Sequence, residues 1–373
     1  MRVLMATPRF HPDIGGVENH VQEVSKRLVK NGANVTVVTT DVSQRYPARE
    51  FVGGVEVLRT PARPQSKDWL FSPELYHIVR DGRWDLVHVQ SYHTCVAPLA
   101  MLGALRSRRP YVLTFHGGGH SSVLRNRVRS FQWRALRPLV RRAGRLVALA
   151  KFEVELYGRA FGLGPEAFAV IPNGSDFPEG PEANPVETDH DLVVSIGRLE
   201  KYKGHHRVIG ALPALLSVRP HARVLILGSG PYESKLRDVS ERLGVADRVE
   251  IRAIPPADRK AMAHAIARAA IVVLMSQYET HPLAALEALA LGRSLLVAAT
   301  SGLAEVAKAG NGRMIALECT DRELAAAIAD QLDHPAIPRE VTLPTWDDCA
   351  DRIQTLYLDI LEARQGGVTN VNW

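Results

Sequence analysis

The sequence predicts two α/β domains in tandem, each built on a parallel sheet covered by helices. Runs rich in Val, Ile and Leu alternate with helical stretches along almost the whole chain, as expected for strands buried on both faces. A segment rich in Pro, Gly and acidic residues, 177–185, interrupts this alternation. The length of 373 residues is more than one ordinary core supports. Each half opens with a strand, a glycine-bearing loop and a helix, so we expect Rossmann-like domains at 1–180 and 181–345.

In the first half, the predicted elements follow from hydrophobic runs and the residues that end them. Gly32 stands where a glycine commonly ends a helix. Strands are predicted at Arg2–Ala6, Asn34–Thr39, Val55–Arg59, Leu86–Val89, Tyr111–Phe115, Leu146–Ala148 and Ala167–Ile171, and the clearest helices at Val17–Asn31, Thr94–Ser107 and Ser122–Arg142.

The alternation restarts after the linker. Thr345 is a plausible N-cap for a closing helix that ends near Ala363, with two aspartates in its first turn. Strands are predicted at Leu192–Ile196, Ala222–Leu227, Val249–Arg252 and Ile271–Met275, and helices at His205–Val218, Glu233–Leu243, Asp258–Ala267 and Pro282–Leu291.

The composition indicates an ordinary globular protein, with 46% hydrophobic and 23% charged residues. No apolar run approaches the roughly 20 residues needed to span a bilayer. The N-terminal segment is a short strand that stops at Pro8, unlike a secretory signal. The three cysteines are far apart and show neither metal spacing nor a disulfide framework, so we expect a reducing cytoplasm.

The positive charge is concentrated in the first half. Residues 1–180 hold 25 Lys and Arg against 15 Asp and Glu, and residues 86–152 hold eleven arginines and no acid. A basic amphipathic helix is predicted within 121–145; it either covers its own sheet or contacts an anionic membrane or a lipid-phosphate acceptor. Contact would place the protein on the inner face of the cell membrane, and no nucleic-acid motif is present. The candidate contact residues are Arg125, Arg129, Trp133 and Arg137.

Two glutamates eight residues apart are the leading candidates for ligand binding. Glu279 follows a predicted strand, and Glu287 lies about one and a half turns into the next helix. Ligands bind at the carboxyl edge of open parallel sheets, where a carboxylate can accept hydrogen bonds from paired hydroxyls. The alternative is one helix-capping and one solvated glutamate.

A basic loop follows the first strand of the second half. It contains Gly197, Arg198 and Lys203, and it precedes a helix. Arginine can bind phosphate oxygens in a fork and lysine adds a mobile charge, so phosphate binding is favoured over simple solvation.

Glycine turns suggest two further phosphate-binding segments. Gly15 and Gly16 precede the first helix, where free N–H groups favour an anion; a tight packing turn is the alternative. Gly228 lies in a similar turn, which either admits a nucleotide or is simply tight. No G-x-G-x-x-G fingerprint is present, which argues against a dinucleotide oxidoreductase.

Two other motifs contain residue types that can contact a substrate or bind a metal ion. His116 ends a predicted strand at the ligand edge, although a lone histidine is more often structural. Asp189 and Asp191 form a D-x-D pattern, but they lie before a predicted strand rather than after one, so no metal site is expected.

Taken together, these segments resemble the retaining nucleotide-sugar glycosyltransferases of glycosyltransferase family 4, which have the two-domain GT-B fold with a cleft between the domains. The order and spacing of the matches are specific, and they cover nearly the whole chain. The matching segments are Gly15–Glu18, His88, His116-Gly117, Pro172–Gly174, Gly197-Arg198, Lys203-Gly204, Gly228–Pro231, Glu279, Glu287–Leu289, Gly292, Trp346 and Tyr357.

The resemblance implies a nucleoside diphosphate sugar as donor, bound mainly by the second domain. Arg198 and Lys203 would bind the diphosphate, and Glu287 would bind the ribose hydroxyls. Glu279 and His116 would lie near the donor sugar. The remaining donor-binding candidates are Gly15, Gly16, Gly197, Gly228, Ile254 and Leu283.

The resemblance also implies a sugar transfer with retained anomeric configuration, no cofactor and no essential metal. The basic first half suggests that a hexose is transferred to a polysaccharide or lipid-linked glycan. The closing segment 346–373 would return to the first domain. The chain departs from the family at Thr280-His281-Pro282, where Gly-Phe-Gly is usual, and at Ala253, where glycine is common. Sugar and base identity therefore stay open. The alternatives are a nucleotide-sugar epimerase and a non-catalytic sugar- or membrane-binding module.

Overall fold

The computed structural model describes residues 1–13, 15–64, 69–117, 123–177, 187–255, 258–336, 338 and 341–365, with side chains omitted at 123–130. The chain forms two compact units. Unit 1 comprises Met1–Gly117, Leu124–Gly174 and the C-terminal segment from Pro344, and unit 2 comprises Ser175–Leu343.

Unit 1 alternates strands and helices, as the sequence predicts. Its elements are β1 (Arg2–Thr7), α1 (Gly16–Lys30), β2 (Asn34–Asp41), β3 (Arg49–Val52), β4 (Val55–Pro61), α2 (Pro73–Asp81), β5 (Leu86–Gln90), α3 (Val96–Arg106), β6 (Tyr111–Thr114), α4 (Val123–Val140), β7 (Arg145–Ala148), α5 (Lys151–Phe161) and β8 (Phe168–Val170).

The described strands of unit 1 form an eight-stranded sheet in the order β3-β4-β2-β1-β5-β6-β7-β8. All neighbouring strands are parallel except β3 and β4, which form an antiparallel hairpin at the edge. The hairpin strand β3 was not predicted, because its residues are half exposed and carry a weak hydrophobic pattern. The central strands place the loops after β1, β5 and β6 at one edge.

Unit 2 has the same organisation. Its described strands form a parallel six-stranded sheet in the order β11-β10-β9-β12-β13-β14. Its elements are β9 (Asp189–Ile196), α6 (His205–Leu216), β10 (Arg223–Leu227), α7 (Glu233–Arg242), β11 (Val249–Arg252), α8 (Arg259–Ala267), β12 (Ala269–Leu274), α9 (Leu283–Ala290), β13 (Ser294–Ala298), α10 (Ser301–Gly310), β14 (Arg313–Ile315) and α11 (Asp321–Asp333).

The last described element is a helix, α12 (Trp346–Gln365), that packs against α1 of unit 1. Thr345 is its N-cap, since its Oγ1 accepts a hydrogen bond from the Asp348 N–H at 3.0 Å. Trp346 and Tyr357 are buried in the unit 1 core. A Cβ on Gly174 would lie 2.3 Å from the backbone N of Trp346, so only glycine fits beneath the start of the helix. The predicted return of the closing helix to the first domain is confirmed.

The largest difference between a predicted and an observed boundary is at the start of β9. Strand β9 begins at Asp189, three residues before the predicted start, so Asp189 and Asp191 belong to the strand instead of preceding it. Both carboxylates have arginine partners: Asp189 pairs with Arg223, and Asp191 lies 3.5 Å from Arg219. These ion pairs account for the D-x-D pattern. In the described part of the chain, no helix is long and apolar enough to cross a bilayer.

Candidate functional site

The centre of the candidate site in unit 2 is an ion pair between Lys203 and Glu279. Lys203 ends a short 3₁₀ turn after β9, and Glu279 follows the adjacent strand β12. The Lys203 Nζ donates to Glu279 Oε1 at 2.6 Å, and both side chains are less than one-fifth exposed. Burial opposes the charged form of Lys203, but attraction to Glu279, Tyr202 and Glu200 and the hydrogen bond to Glu279 together outweigh it, so the lysine pKa is raised. The lysine is therefore a fixed cation at the carboxyl edge of the sheet.

The backbone and carboxylate of Glu279 are held by two neighbouring segments. Its Oε1 accepts a second hydrogen bond from Ser276 Oγ at 2.8 Å, and its N–H donates to Ser301 Oγ at 2.8 Å. Gly302 N–H donates to the Glu279 carbonyl at 2.9 Å, and a Cβ on Gly302 would lie 2.4 Å from the Thr280 carbonyl oxygen. These contacts fix the position of Glu279.

The predicted glycine turns of unit 2 lie directly against each other. A Cβ on Gly228 would lie 2.0 Å from the Gly197 carbonyl oxygen, and one on Gly230 would lie 2.5 Å from that of Leu199. Leu199 N–H also donates to the Ser229 carbonyl at 2.9 Å. The close approach of the two turns gives these glycines a packing role, which was one of the two interpretations that the sequence left open.

Arg198 has a different environment from Lys203. Its side chain is 67% exposed, and its nearest ionic partner is Glu200 at 3.5 Å. The structure therefore does not bring Arg198 into the buried Lys203–Glu279 pair. An exposed guanidinium retains the freedom to move onto a phosphate.

Glu287 is buried in α9, with only 4% of its surface exposed. Its Oε1 pairs with the Arg259 guanidinium and accepts a weaker hydrogen bond from Ser175 Oγ at 3.4 Å. Burial raises the pKa of Glu287, and Arg259 opposes that rise. Sequence reasoning found Glu287 but missed Arg259, which lies 28 residues earlier.

The segment between the two glutamates differs from a glycine loop. Pro282 precedes the first residue of α9, Leu283, whose N–H donates to the His281 carbonyl at 3.0 Å. Burial lowers the pKa of His281 to about 4, so its ring is neutral near pH 7. Its Nδ1 is buried and has no hydrogen-bond partner among the described residues. Ile254, the predicted base-side residue, follows β11 and packs partly buried against the unit 2 core.

In unit 1, the predicted anion site at the start of α1 is covered by a carboxylate. Gly15 is the N-cap of α1, and a Cβ there would lie 2.2 Å from Glu18 Oε2. Gly16 has open space where a Cβ would stand. An anion at this helix start would have to displace the Glu18 side chain, because both would occupy the same positive end of the helix.

His116 belongs to a buried network of polar rings. It follows β6 with a φ of +43°, and its Nε2–H donates to Gln90 Oε1 at 2.6 Å. The ring of His20 stands edge-on to it, with centroids 4.6 Å apart. His88 is held between Tyr357 OH at 2.5 Å and Thr114 Oγ1 at 2.7 Å. Burial lowers the pKa of all three histidines, so these rings are neutral near pH 7.

The basic helix α4 is only partly available for contact with a ligand or membrane. Trp133 is half-buried against the rings of Tyr157 and Phe161, and Arg137 Nε donates to the Phe161 carbonyl at 3.0 Å. Trp133 therefore packs against its own unit, which is the alternative interpretation of this residue. The side chains of Arg125 and Arg129 lie outside the described residues.

Comparisons with known proteins identify the family to which the chain belongs. A model of Glycosyltransferase Family 4 matches residues 14–177, and a model of Glycosyl transferases group 1 matches residues 176–342. Glycogen synthase of Mycobacterium tuberculosis is 30% identical over 370 residues, which cover 90% of this chain and 87% of that protein. The chain belongs to glycosyltransferase family 4.

Other similarities of this family 4 enzyme extend over much of its length. The GDP-mannose:cellobiosyl-diphosphopolyprenol alpha-mannosyltransferase of Xanthomonas campestris is 26% identical over 301 residues, covering 78% of this chain and 77% of that protein. The fold matches Anabaena HepE, solved in complex with UDP-glucose, with a TM-score of 0.70, 18% identity and coverage of 98% and 100%. The protein is thus a retaining GT-B glycosyltransferase that takes a sugar from a nucleotide-sugar donor.

Proposed function

We propose that the protein transfers a hexose from a nucleoside diphosphate sugar to a polysaccharide or lipid-linked glycan, without an essential metal. The Lys203–Glu279 pair is the observation that carries this proposal. When a nucleoside diphosphate leaves, negative charge develops on its phosphate oxygens, and a fixed cation beside them lowers the barrier. Lys203 supplies that charge, and Arg198 can add a second.

Glu279 has two roles in this proposal. It keeps Lys203 protonated and in place, and it offers carboxylate oxygens to the hydroxyls of the donor sugar. The segment Thr280-His281-Pro282 next to it replaces glycine N–H groups with a proline that donates none, so it is the proposed source of this enzyme's own sugar preference. The family assignment favours transfer over the epimerase and binding-module hypotheses.

The donor is tested by incubating the full-length protein with glucose, galactose, mannose and N-acetylglucosamine donors on UDP, GDP and ADP. We expect release of nucleoside diphosphate with one preferred pair, unchanged by EDTA. The anomeric configuration of the product, read by proton NMR, should match that of the donor. A requirement for added divalent metal, or solvent deuterium incorporated into the sugar, would contradict this proposal.

For the acceptor, we propose a lipid-linked glycan reached from a cytoplasmic position on the membrane surface. Phe131 of α4 is 72% exposed, and Arg134, Arg141 and Arg142 are exposed on or just after the same helix. An exposed aromatic ring among arginines suits the interface of an anionic bilayer. The similar Xanthomonas protein, by its name, takes a cellobiosyl-diphosphopolyprenol, which is a glycan linked to a lipid.

Membrane contact is tested by sedimentation with vesicles containing anionic lipid at low salt. We expect wild-type binding that weakens at high salt, and about a 100-fold loss when Arg134, Arg141 and Arg142 are all replaced with glutamine, because each surface arginine contributes about 1 kcal/mol. Replacing the exposed Arg237 and Arg242 of α7 is the matched control. Equal retention of both variants would contradict contact through α4.

A further inference from the structure

Arg259 is the first residue of α8 and reaches the buried carboxylate of Glu287 in the neighbouring helix α9. The Arg259 side chain is about one-third exposed, and that of Glu287 is almost fully buried. Burying an ionised carboxylate costs desolvation free energy unless a cation or hydrogen-bond donors compensate for the lost water. Arg259 provides that compensation.

The guanidinium is fixed on a second side by an aromatic ring. The Cζ of Arg259 lies 5.3 Å from the centroid of Phe177, whose side chain is 5% exposed in the unit 2 core. Ser175 Oγ accepts from the Phe177 N–H at 3.2 Å and donates to Glu287 Oε1 at 3.4 Å. The carboxylate is thus held by two groups whose own positions are fixed by Phe177.

Both contacts of Glu287 engage the same oxygen. Arg259 and Ser175 reach Oε1, whereas Oε2 accepts no hydrogen bond from the described residues. An ionised carboxylate has about two acceptor positions on each oxygen. Arg259 and Ser175 therefore anchor Oε1, and both acceptor positions of Oε2 remain for a ligand.

We propose that Arg259 is a positioning residue of the donor site, which holds Glu287 by Oε1 so that Oε2 is presented to the ribose hydroxyls of the nucleotide. This inference rests on the proposed function, since it needs a ribonucleotide as donor. Arg259 acts through Glu287. It sets how strongly the enzyme prefers ribose over 2′-deoxyribose.

The charge on Arg259 also gives this preference a pH dependence. Arg259 is the charged group that contacts Glu287. Ser175, in the segment before the linker, contacts the same carboxylate. Burial already raises the pKa of Glu287, and Arg259 limits the rise. Without Arg259, the glutamate takes up a proton at a higher pH, and a neutral carboxyl accepts hydroxyl hydrogen bonds poorly.

The test measures binding of UDP, GDP and ADP to the full-length protein by calorimetry, and then binding of the 2′-deoxy form of the tightest ligand, from pH 5.5 to 8.5. For the wild type we expect about a tenfold preference for ribose, the value of one hydrogen bond to a charged group. For Arg259→Ala we expect a smaller preference at pH 8.5 that disappears at pH 5.5. Arg268→Ala is the control, because Arg268 directly follows the same helix as its C-cap and lies 4.0 Å from Asp189 instead of Glu287.

Each negative result contradicts a different part of the proposal. If no nucleotide binds to the wild type, the proposed function fails. If nucleotide binds but ribose is not preferred, the role of Glu287 fails and the positioning role fails with it. If Arg259→Ala keeps the wild-type preference at every pH, the role of Arg259 alone is overturned. Should that variant not fold, Arg259→Lys decides: we expect a reduced preference, and a wild-type value would overturn the proposal.

Discussion

Replacing Lys203 with alanine is expected to lower kcat for sugar transfer about 100- to 1000-fold, the usual cost of removing a group that stabilises developing negative charge. Lys203 is the buried cation at the candidate site, and its charge is held in place by Glu279 at 2.6 Å. KM for the donor should change less, because the charge on the phosphates is greatest as the nucleotide leaves. Nucleoside diphosphate release at saturating donor measures the effect.

Lys201 provides a matched control for that experiment. It lies two residues earlier in the same 3₁₀ turn, and its side chain is exposed. Lys201→Ala should stay within about twofold of wild type, as expected for a solvated surface charge. A thermal unfolding curve for each variant separates lost chemistry from lost folding. If a folded Lys203→Ala variant keeps more than about a tenth of the wild-type kcat, the catalytic role of Lys203 is wrong.

The second large effect is expected from Gly204→Ala, which should lower the stability of unit 2 by about 3–5 kcal/mol and its unfolding midpoint by about 10 °C. Gly204 has a φ of +77°, and a Cβ there would lie 2.0 Å from the Met275 carbonyl oxygen. An alanine would meet both an unfavourable backbone conformation and a clash with the end of β12. Differential scanning calorimetry measures the shift.

Gly244→Ala separates these two causes. Gly244 also has a positive φ, +68°, but a Cβ there would meet nothing within 4 Å. Only the cost of the left-handed conformation remains, about 1–2 kcal/mol, so a shift of about 3–5 °C is expected. Equal shifts for the two variants would show that the close approach of Gly204 to Met275 does not affect stability.

The fold could be predicted from the sequence because its central strands are buried on both faces. Such strands appear as unbroken apolar runs, and the parallel arrangement follows from the helices between them. The same rule placed Lys203 and Glu279 at one edge of the sheet, although they are 76 residues apart. The predicted elements do not include β3, which is short and half exposed, or the polar start of β9. They also include no strand after Met275 and so miss the buried strand β13 and its neighbour β14.

The fine structure of the candidate site could not be predicted, for a physical reason. Hydrophobic periodicity identifies which face of an element is buried, but a hydrogen bond depends on side-chain rotamers and on distances between separate elements. Arg259 and Gln90 carry no sequence pattern that links them to Glu287 and His116, and those contacts arise only when the chain is folded. Likewise, a carboxylate over Gly15 is not visible as a competitor for an anion until the helix start is built.

The position of α12 has a consequence for how the chain folds during synthesis. Unit 1 is completed by a helix that is synthesised after all of unit 2. Trp346 and Tyr357 fill a core whose other members, such as Val3 and Met5, are made first. Domains usually fold in the order of their synthesis. Unit 1 is begun first and completed last, and its apolar surface under α12 stays exposed until that helix has emerged.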